Sequence, residues 1–143
     1  MIGYLDTSAF VPLLIAEPSS PSCRRFWDDA DTVVASRLMY VEAAASLAQA
    51  RRLNRLTTRT HRGALTLLDQ LWEQVDVVEV DQPAVVRAAA LAEQQLGLRG
   101  YDAVHSAAAE SVLDDDLVAA AGDRELLAAW SKLGLATYDT NAP

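Results

Sequence analysis

The chain starts with a short apolar run that ends at an aspartate, Ile2–Asp6 (IGYLD). A run of this length bounded by a polar residue is typical of a buried strand, and we predict a strand over Ile2–Leu5. A helical pattern follows from Thr7 toward Ile15 and stops near Pro18. The chain therefore opens with a strand whose carboxyl end carries an acid and leads directly into a helix.

The same alternation of short apolar runs and longer helical patterns continues to the end of the chain. Further strands are predicted over Thr32–Ser36, Val75–Val80, Leu117–Ala121 and Leu135–Tyr138. Helices are predicted from Pro21 through Trp27, Arg37 to Leu53, Thr57 past Trp72, Asp81 to Gly97, Gly100 to Val112, and onward from Asp123. Strands that alternate with helices indicate a parallel sheet covered by helices. We predict an α/β fold with about five short strands, in one domain spanning residues 1–143.

Composition and charge exclude several classes of protein. Hydrophobic residues make up 51% of the 143 residues and charged residues 22%, which is typical of a globular domain. The net charge of −8 excludes nucleic-acid coating by overall charge, but not an enzyme that binds nucleic acid through a local patch and metal ions. Cys23 is the one cysteine, so neither an intrachain disulfide nor a cysteine-based zinc site is expected.

The sequence gives no indication of a membrane or export signal. No apolar run approaches the roughly 20 residues of a membrane-spanning helix. The first residues have no basic region before the acid at Asp6, unlike a signal peptide. We therefore expect a soluble, cytoplasmic protein.

Three aspartates fall where a parallel sheet binds its ligands, beyond the carboxyl ends of the strands. Asp6 follows the first predicted strand, and Asp123 follows the strand over Leu117–Ala121 after one glycine. Asp102 falls in the first turn of its helix. Each aspartate can equally serve as a helix cap, so for each residue taken alone both interpretations remain open.

Glu42 is placed differently, because it lies in the middle of a predicted helix. At 3.6 residues per turn it is roughly 40° around the helix from Leu38, at the edge of the apolar stripe. It either reaches out to water or points inward to join the three aspartates.

Convergence of four acids would have a clear chemical consequence. Two carboxylates ~5 Å apart repel by about 3 kcal/mol at an effective dielectric near 20, so a cluster needs a cation or retained protons. Carboxylate oxygens without His or Cys ligands suit Mg²⁺ or Mn²⁺. Such an ion polarises a phosphoryl oxygen and activates water, and the chemistry indicated is phosphodiester hydrolysis.

Four segments resemble the acidic motifs of PIN-domain ribonucleases, and in particular of the VapC toxins of toxin–antitoxin pairs. They are Tyr4–Ala9, Ser36–Ala44, Gly97–His105 and Gly122–Leu126, in the order and spacing of that family. The resemblance implies a PIN-like fold and a Mg²⁺- or Mn²⁺-dependent endoribonuclease, the toxin of a type II pair. It also implies RNA as substrate, a VapB-type antitoxin as partner and a homodimer.

The resemblance also assigns roles to individual residues. Those implied to form the catalytic metal site are Asp6, Glu42, Asp102 and Asp123. Ser8 is implied to orient Asp6, and His105, three residues after Asp102 on the same helix face, is a structural neighbour of the site or a general base. Ala121 departs from the family, which often has Thr or Ser at this position.

One basic cluster stands out in this acidic chain. Arg51, Arg55 and Arg59 are four residues apart and form a helical stripe if the helix continues through Thr57–Thr58. The cluster is either a solvated face or a patch that follows RNA phosphates.

Two other classes of protein also combine an α/β fold with acidic residues or with no catalytic site. A phosphoacceptor receiver domain needs an acidic pair near the first strand and a lysine at a late strand, but Asp6 has no acidic neighbour and Lys132 falls in a helical pattern. A non-catalytic α/β binding module remains an alternative. Millimolar Mn²⁺ should stabilise a fold that carries a carboxylate metal site, whereas the stability of a binding module should not change.

Overall fold

A computed structural model describes residues 1–94 and 96–143 of the chain. The strands are β1 Ile2–Leu5, β2 Thr32–Ser36, β3 Val75–Val78, β4 Leu117–Ala121 and β5 Ala136–Asp139. The helices are α1 Thr7–Leu14, α2 Ser20–Asp29, α3 Leu38–Arg52, α4 Thr58–Trp72, α5 Gln82–Glu93, α6 Gly100–Ser111 and α7 Arg124–Lys132. The predicted alternation of strands and helices is confirmed.

The five strands form one parallel sheet in the order β3-β2-β1-β4-β5. The chain moves outward from β1 through β2 to β3, then crosses back to β4 and on to β5. The direction of winding therefore reverses between β1 and β4, which are paired through Leu5 and Ala120. In open parallel sheets this reversal opens a crevice at the carboxyl edge, where ligands bind. Asp6 and Asp123 follow these two strands.

Each face of the sheet is covered by its own hydrophobic core. Leu5 packs with Phe10, Phe26 and Met39 on one face, and Tyr4 packs on the other face, where Trp130 is fully buried. Successive residues of a strand point to opposite faces, so β1 contributes to both cores. This double coverage explains why the neighbouring strands β1 and β4 carry almost only apolar side chains.

Strand β4 forms although alanine is a weak strand former. Ala119, Ala120 and Ala121 are fully buried, and β4 pairs with β1 on one side and β5 on the other. Burial and pairing outweigh intrinsic propensity here.

Two predicted boundaries were wrong. Strand β3 ends at Val78 rather than Val80, because its partner strand ends at Ser36 and the chain then turns into α3. Helix α5 ends at Glu93 rather than Gly97, since Gln94 adopts an extended backbone. Gly97 takes its positive φ of 71° within the following connection.

The predicted break between two helices at Thr57–Thr58 is confirmed, so the condition for one continuous arginine stripe is not met. Helix α3 ends at Arg52, and Asn54 adopts a left-handed conformation with φ 59°. Helix α4 begins anew with a capping box, in which the Thr57 side chain accepts a hydrogen bond from the Thr60 amide. A cap of this kind ends helical continuity.

No helix in the described ranges is long and apolar enough to cross a membrane.

Candidate active site

Asp6 is buried at the start of α1, where it caps the helix. Its Oδ2 accepts hydrogen bonds from the Ser8 amide at 2.9 Å and from Ser8 Oγ at 2.5 Å. Its Oδ1 lies 3.8 Å from Nε2 of His105. The two interpretations of this aspartate are therefore compatible, because capping occupies only one of its oxygens.

Ser8 connects the carboxyl ends of the neighbouring strands β1 and β4. While its hydroxyl donates to Asp6, the same oxygen accepts the Gly122 amide at 2.8 Å. Gly122 immediately precedes Asp123, so this hydroxyl joins the first acid to the turn that carries the fourth.

Asp123 begins α7 as its N-cap. Its Oδ1 accepts hydrogen bonds from the amides of Glu125 at 2.9 Å and Leu126 at 3.1 Å. The residue is exposed. Like Asp6, Asp123 caps its helix through only one of its two carboxylate oxygens.

Glu42 points inward rather than to water. Its Oε1 accepts a hydrogen bond from Thr7 Oγ1 at 2.7 Å and lies 2.5 Å from Nε2 of His105. Burial pushes the pKa of the Glu42 carboxyl upward, but hydrogen bonds and charge from His105, with the bond from Thr7, outweigh it and lower that pKa. Glu42 is therefore held as a carboxylate beside Asp6.

His105 is buried beneath the carboxylates, with 1% of its surface exposed. Its Nδ1 is hydrogen-bonded to the hydroxyl of Tyr4 at 3.0 Å. Burial alone would lower the pKa of His105, but the Glu42 hydrogen bond and the negative charges of Asp6, Glu42 and Asp102 raise it. The imidazole therefore lies within the field of three predicted site acids.

Asp102 lies in the first turn of α6, as predicted. Burial raises the pKa of its carboxyl, the backbone of Arg99 opposes this in part, and the charges of Asp6 and Asp123 raise it further. The carbonyl oxygen of Asp102 accepts a hydrogen bond from Ser106, whose hydroxyl is bonded by the Trp130 indole. Asp102 thus shares one electrostatic environment with Asp6 and Asp123.

Sequence reasoning missed Thr7 and Tyr4. Thr7 stands directly between two predicted site residues, Asp6 and Ser8, so its position was a usable signal. Tyr4 offered no comparable signal, because it lies in an apolar strand and meets His105 only through the fold.

Three of the four acids share one arrangement that suits an ion. In Asp6, Glu42 and Asp123 one carboxylate oxygen is bonded to the protein, and within residues 1–94 and 96–143 the other has no hydrogen bond. Oxygen donors of this type fit a hard divalent cation. Among the same residues no group of three or more His, Cys, Asp or Glu side chains is gathered closely enough to hold a metal ion as it stands.

The three arginines lie on the α3–α4 hairpin and differ in their contacts. Arg51 donates a hydrogen bond to Thr58 Oγ1, and Arg55 forms an ion pair with Glu17, both at 2.7 Å. Arg59 is exposed on α4. Arg51 follows Glu42 along α3 by about 14 Å at 1.5 Å per residue, so the basic cluster lies away from the carboxylates.

The PIN domain family model matches residues 3–139 of this chain. The chain therefore belongs to the PIN domain family. Within that family it is similar to the VapC ribonucleases: Ribonuclease VapC45 and Ribonuclease VapC49 of Mycobacterium tuberculosis are each 40% identical to it over 123 residues, covering 86% of this chain and 85% of the relative. The predicted family is confirmed.

Several solved structures share the fold of this chain. FitAcB from Neisseria gonorrhoeae superposes with a TM-score of 0.74 at 17% identity, covering 98% of both chains. VapC20 of Mycobacterium tuberculosis, described as a toxin that cleaves the sarcin–ricin loop, superposes with a TM-score of 0.66 at 20% identity, covering 89% of this chain and 94% of VapC20. The PIN-like parallel sheet is confirmed.

Proposed function

We propose that this protein is a metal-dependent endoribonuclease that hydrolyses RNA phosphodiester bonds as the toxin of a type II toxin–antitoxin pair. The observation that carries the proposal is the 40% identity, over 86% of the chain, to Ribonuclease VapC45. The acids at the carboxyl edge between β1 and β4 supply the chemistry that such an enzyme requires.

The residues proposed to hold Mg²⁺ or Mn²⁺ are Asp6, Glu42, Asp102 and Asp123. A bound divalent cation would supply Lewis acidity toward the phosphoryl oxygen and lower the pKa of a coordinated water. Burial raises the pKa of Asp102 most, and the charges of Asp6 and Asp123 raise it further, which supports a shared site. This further rise indicates that negative charge accumulates there and that a cation would relieve it.

The surrounding side chains hold the acids in place. Ser8 binds one oxygen of Asp6, while Thr7 and His105 bind one oxygen of Glu42. Fixing one oxygen limits the rotation of each carboxylate and leaves the other directed to the site. We assign His105 this positioning role, because its Nε2 is already engaged by Glu42.

The partners follow from the same family. VapC45 and VapC49 are ribonucleases, and structural neighbours include VapBC complexes from Rickettsia felis and Salmonella typhimurium bound to DNA. We propose a VapB-type antitoxin as partner, a homodimeric toxin and a cytoplasmic location. Arg51, Arg55 and Arg59 remain the proposed RNA-contacting patch, where positive charge would attract phosphates.

The test is RNA cleavage by the purified chain, freed of any antitoxin, with and without Mn²⁺. We expect cleavage by the parent and its loss in Asp6→Asn, with parental activity in Asp115→Asn, which removes an exposed acid before β4, at the opposite end of that strand from Asp123. Equal cleavage by Asp6→Asn and the parent would contradict the proposed site. An intact fold that neither cleaves RNA nor is stabilised by Mn²⁺ would instead indicate a binding module.

A further inference from the structure

Gly122, the residue before Asp123, is held on both sides by side chains from distant parts of the chain. Its amide donates to Ser8 Oγ at 2.8 Å, and its carbonyl oxygen accepts a hydrogen bond from Nδ2 of Asn141 at 2.9 Å. Ser8 belongs to the predicted site, whereas Asn141 lies beyond the last strand and belongs to none of the four motifs.

The space around Gly122 is tight for a side chain. A methyl group there would lie 3.1 Å from Thr140 Oγ1, 3.3 Å from Asn141 Nδ2 and 3.6 Å from Ser8 Cβ. The close approach of these groups is the reason for glycine at this position. It also shows that Thr140 and Asn141 pack directly against the turn.

The segment Asp139–Asn141 is itself anchored to the same turn. Asp139 pairs with Ala121 in the sheet, and the buried Thr140 donates its amide to the Ala121 carbonyl at 3.1 Å. The backbone N–H of Asn141 donates a hydrogen bond to Oδ1 of Asp139 at 2.9 Å. These bonds orient the Asn141 side chain toward Gly122 although the residue is exposed.

From these contacts we infer that Asn141 is a positioning residue for Asp123. The Gly122 carbonyl and the Asp123 nitrogen belong to the same planar peptide, so a bond to that carbonyl fixes the plane from which Asp123 extends. Ser8 fixes the preceding peptide and also binds Asp6. Asn141 and Ser8 together thus set the position of the fourth acid relative to the first. The inference rests on the proposed function, since it assumes that Asp123 helps to hold the metal ion.

The test compares Asn141→Leu, which keeps a similar size but cannot donate, with Asn141→Gln, which keeps the carboxamide. Gln70→Leu is the matched control, because it makes the corresponding change at an exposed amide on α4. For each protein we would measure the unfolding temperature across a Mn²⁺ titration, without RNA, and kcat and KM for RNA cleavage.

We expect Asn141→Leu to need about tenfold more Mn²⁺ for half-maximal stabilisation and to lose about tenfold in kcat, as for other residues that orient metal ligands. KM should be unchanged, and the unfolding temperature in chelator nearly parental. Asn141→Gln should recover most of both losses, and Gln70→Leu should match the parent. Should Asn141→Leu fail to fold, Asn141→Ala replaces it in the same measurements.

A parental Mn²⁺ midpoint and kcat in Asn141→Leu would overturn the inference and leave the proposed function intact. So would a fall in stability in chelator without a change in the Mn²⁺ midpoint, since it would show a purely structural role. A parent protein that responds to neither Mn²⁺ nor RNA would overturn the proposed function and this inference together.

Discussion

His105 is bonded to Glu42 across 2.5 Å, between Nε2 of the imidazole and Oε1 of the carboxylate. The contact joins two helices, α3 and α6, at the carboxyl edge of the sheet. Helix α6 also carries Asp102, three residues before His105, on the same face. One helix therefore supplies both an acid of the proposed site and the group that turns Glu42 toward it.

Replacing His105 should damage both stability and activity. In His105→Ala the buried Tyr4 hydroxyl loses its imidazole partner and Glu42 loses its orienting bond, so we expect the free energy of unfolding to fall by about 2–3 kcal/mol and RNA cleavage to fall sharply. Denaturant unfolding in chelator and initial cleavage rates measure the two effects. Tyr4→Phe is the control: it should cost only about 1 kcal/mol and retain most activity. Parental cleavage by His105→Ala would contradict the positioning role.

Neutralising Asp102 should not destabilise the metal-free protein. Burial and the charges of Asp6 and Asp123 raise the pKa of Asp102, which means that the folded state disfavours its ionised form. In chelator at pH 7, Asp102→Asn should therefore unfold at the same temperature as the parent or higher, whereas with Mn²⁺ the parent should be the more stable protein. Clear destabilisation of Asp102→Asn in chelator would show that its charge mainly supports the start of α6.

Asp6→Asn provides a contrast in the same assay. Asp6 accepts two hydrogen bonds from Ser8 as the cap of α1, so removing its charge also affects the start of that helix. Asn caps a helix as well as Asp does, but the negative charge at the N-terminus of α1 is lost, so we expect the free energy of unfolding in chelator to fall by up to about 1 kcal/mol and stabilisation by Mn²⁺ to be lost. If Asp6→Asn retained the full Mn²⁺ response, Asp6 would not be an ion ligand.

Two glycines should respond in opposite ways to the same substitution. Gly122→Ala places a methyl group 3.1 Å from Thr140 Oγ1, and we expect a loss of about 1–3 kcal/mol. Gly63 lies inside α4 with nothing within 4 Å of an added methyl group, so Gly63→Ala should stabilise the protein by up to about 1 kcal/mol. Denaturant unfolding of both variants tests the packing of the turn, and equal effects of the two changes would show that Gly122 is not confined.

The ion pair of Arg87 and Glu110, which joins α5 to α6, should make stability depend on pH. The Arg87 guanidinium lowers the pKa of the Glu110 carboxyl, so the pair stabilises the fold above the unfolded-state pKa of about 4.3 and loses this contribution as pH falls through the lower folded-state pKa. Glu110→Gln should therefore be less stable than the parent at pH 7, by up to about 1 kcal/mol because the pair is partly exposed. The difference in unfolding temperature between Glu110→Gln and the parent should disappear as the pH falls below 4. A difference that does not depend on pH would exclude the ion pair as its cause.

Much of the fold was predictable because its signals are local. Strands β1 and β4 are short apolar runs, and the Asp81 cap followed by a proline predicted the start of α5. The boundaries that failed depend on partners distant in sequence: β3 ends where Ser36 leaves the sheet. Capping at Thr57, by contrast, is a local signal, and it separates the arginines that one longer helix would have aligned.

By itself, the sequence determined the order of the elements and the family, and it placed Asp6 and Asp123 after two strands of a parallel sheet. Their meeting at one edge follows from the parallel arrangement, since all such strands end on the same side. Only the tertiary structure decided that Glu42 turns inward to His105 and that Asn141 holds the turn before Asp123. Helical periodicity sets the direction of a side chain around the helix axis. The groups that this side chain contacts come from segments far away in the chain.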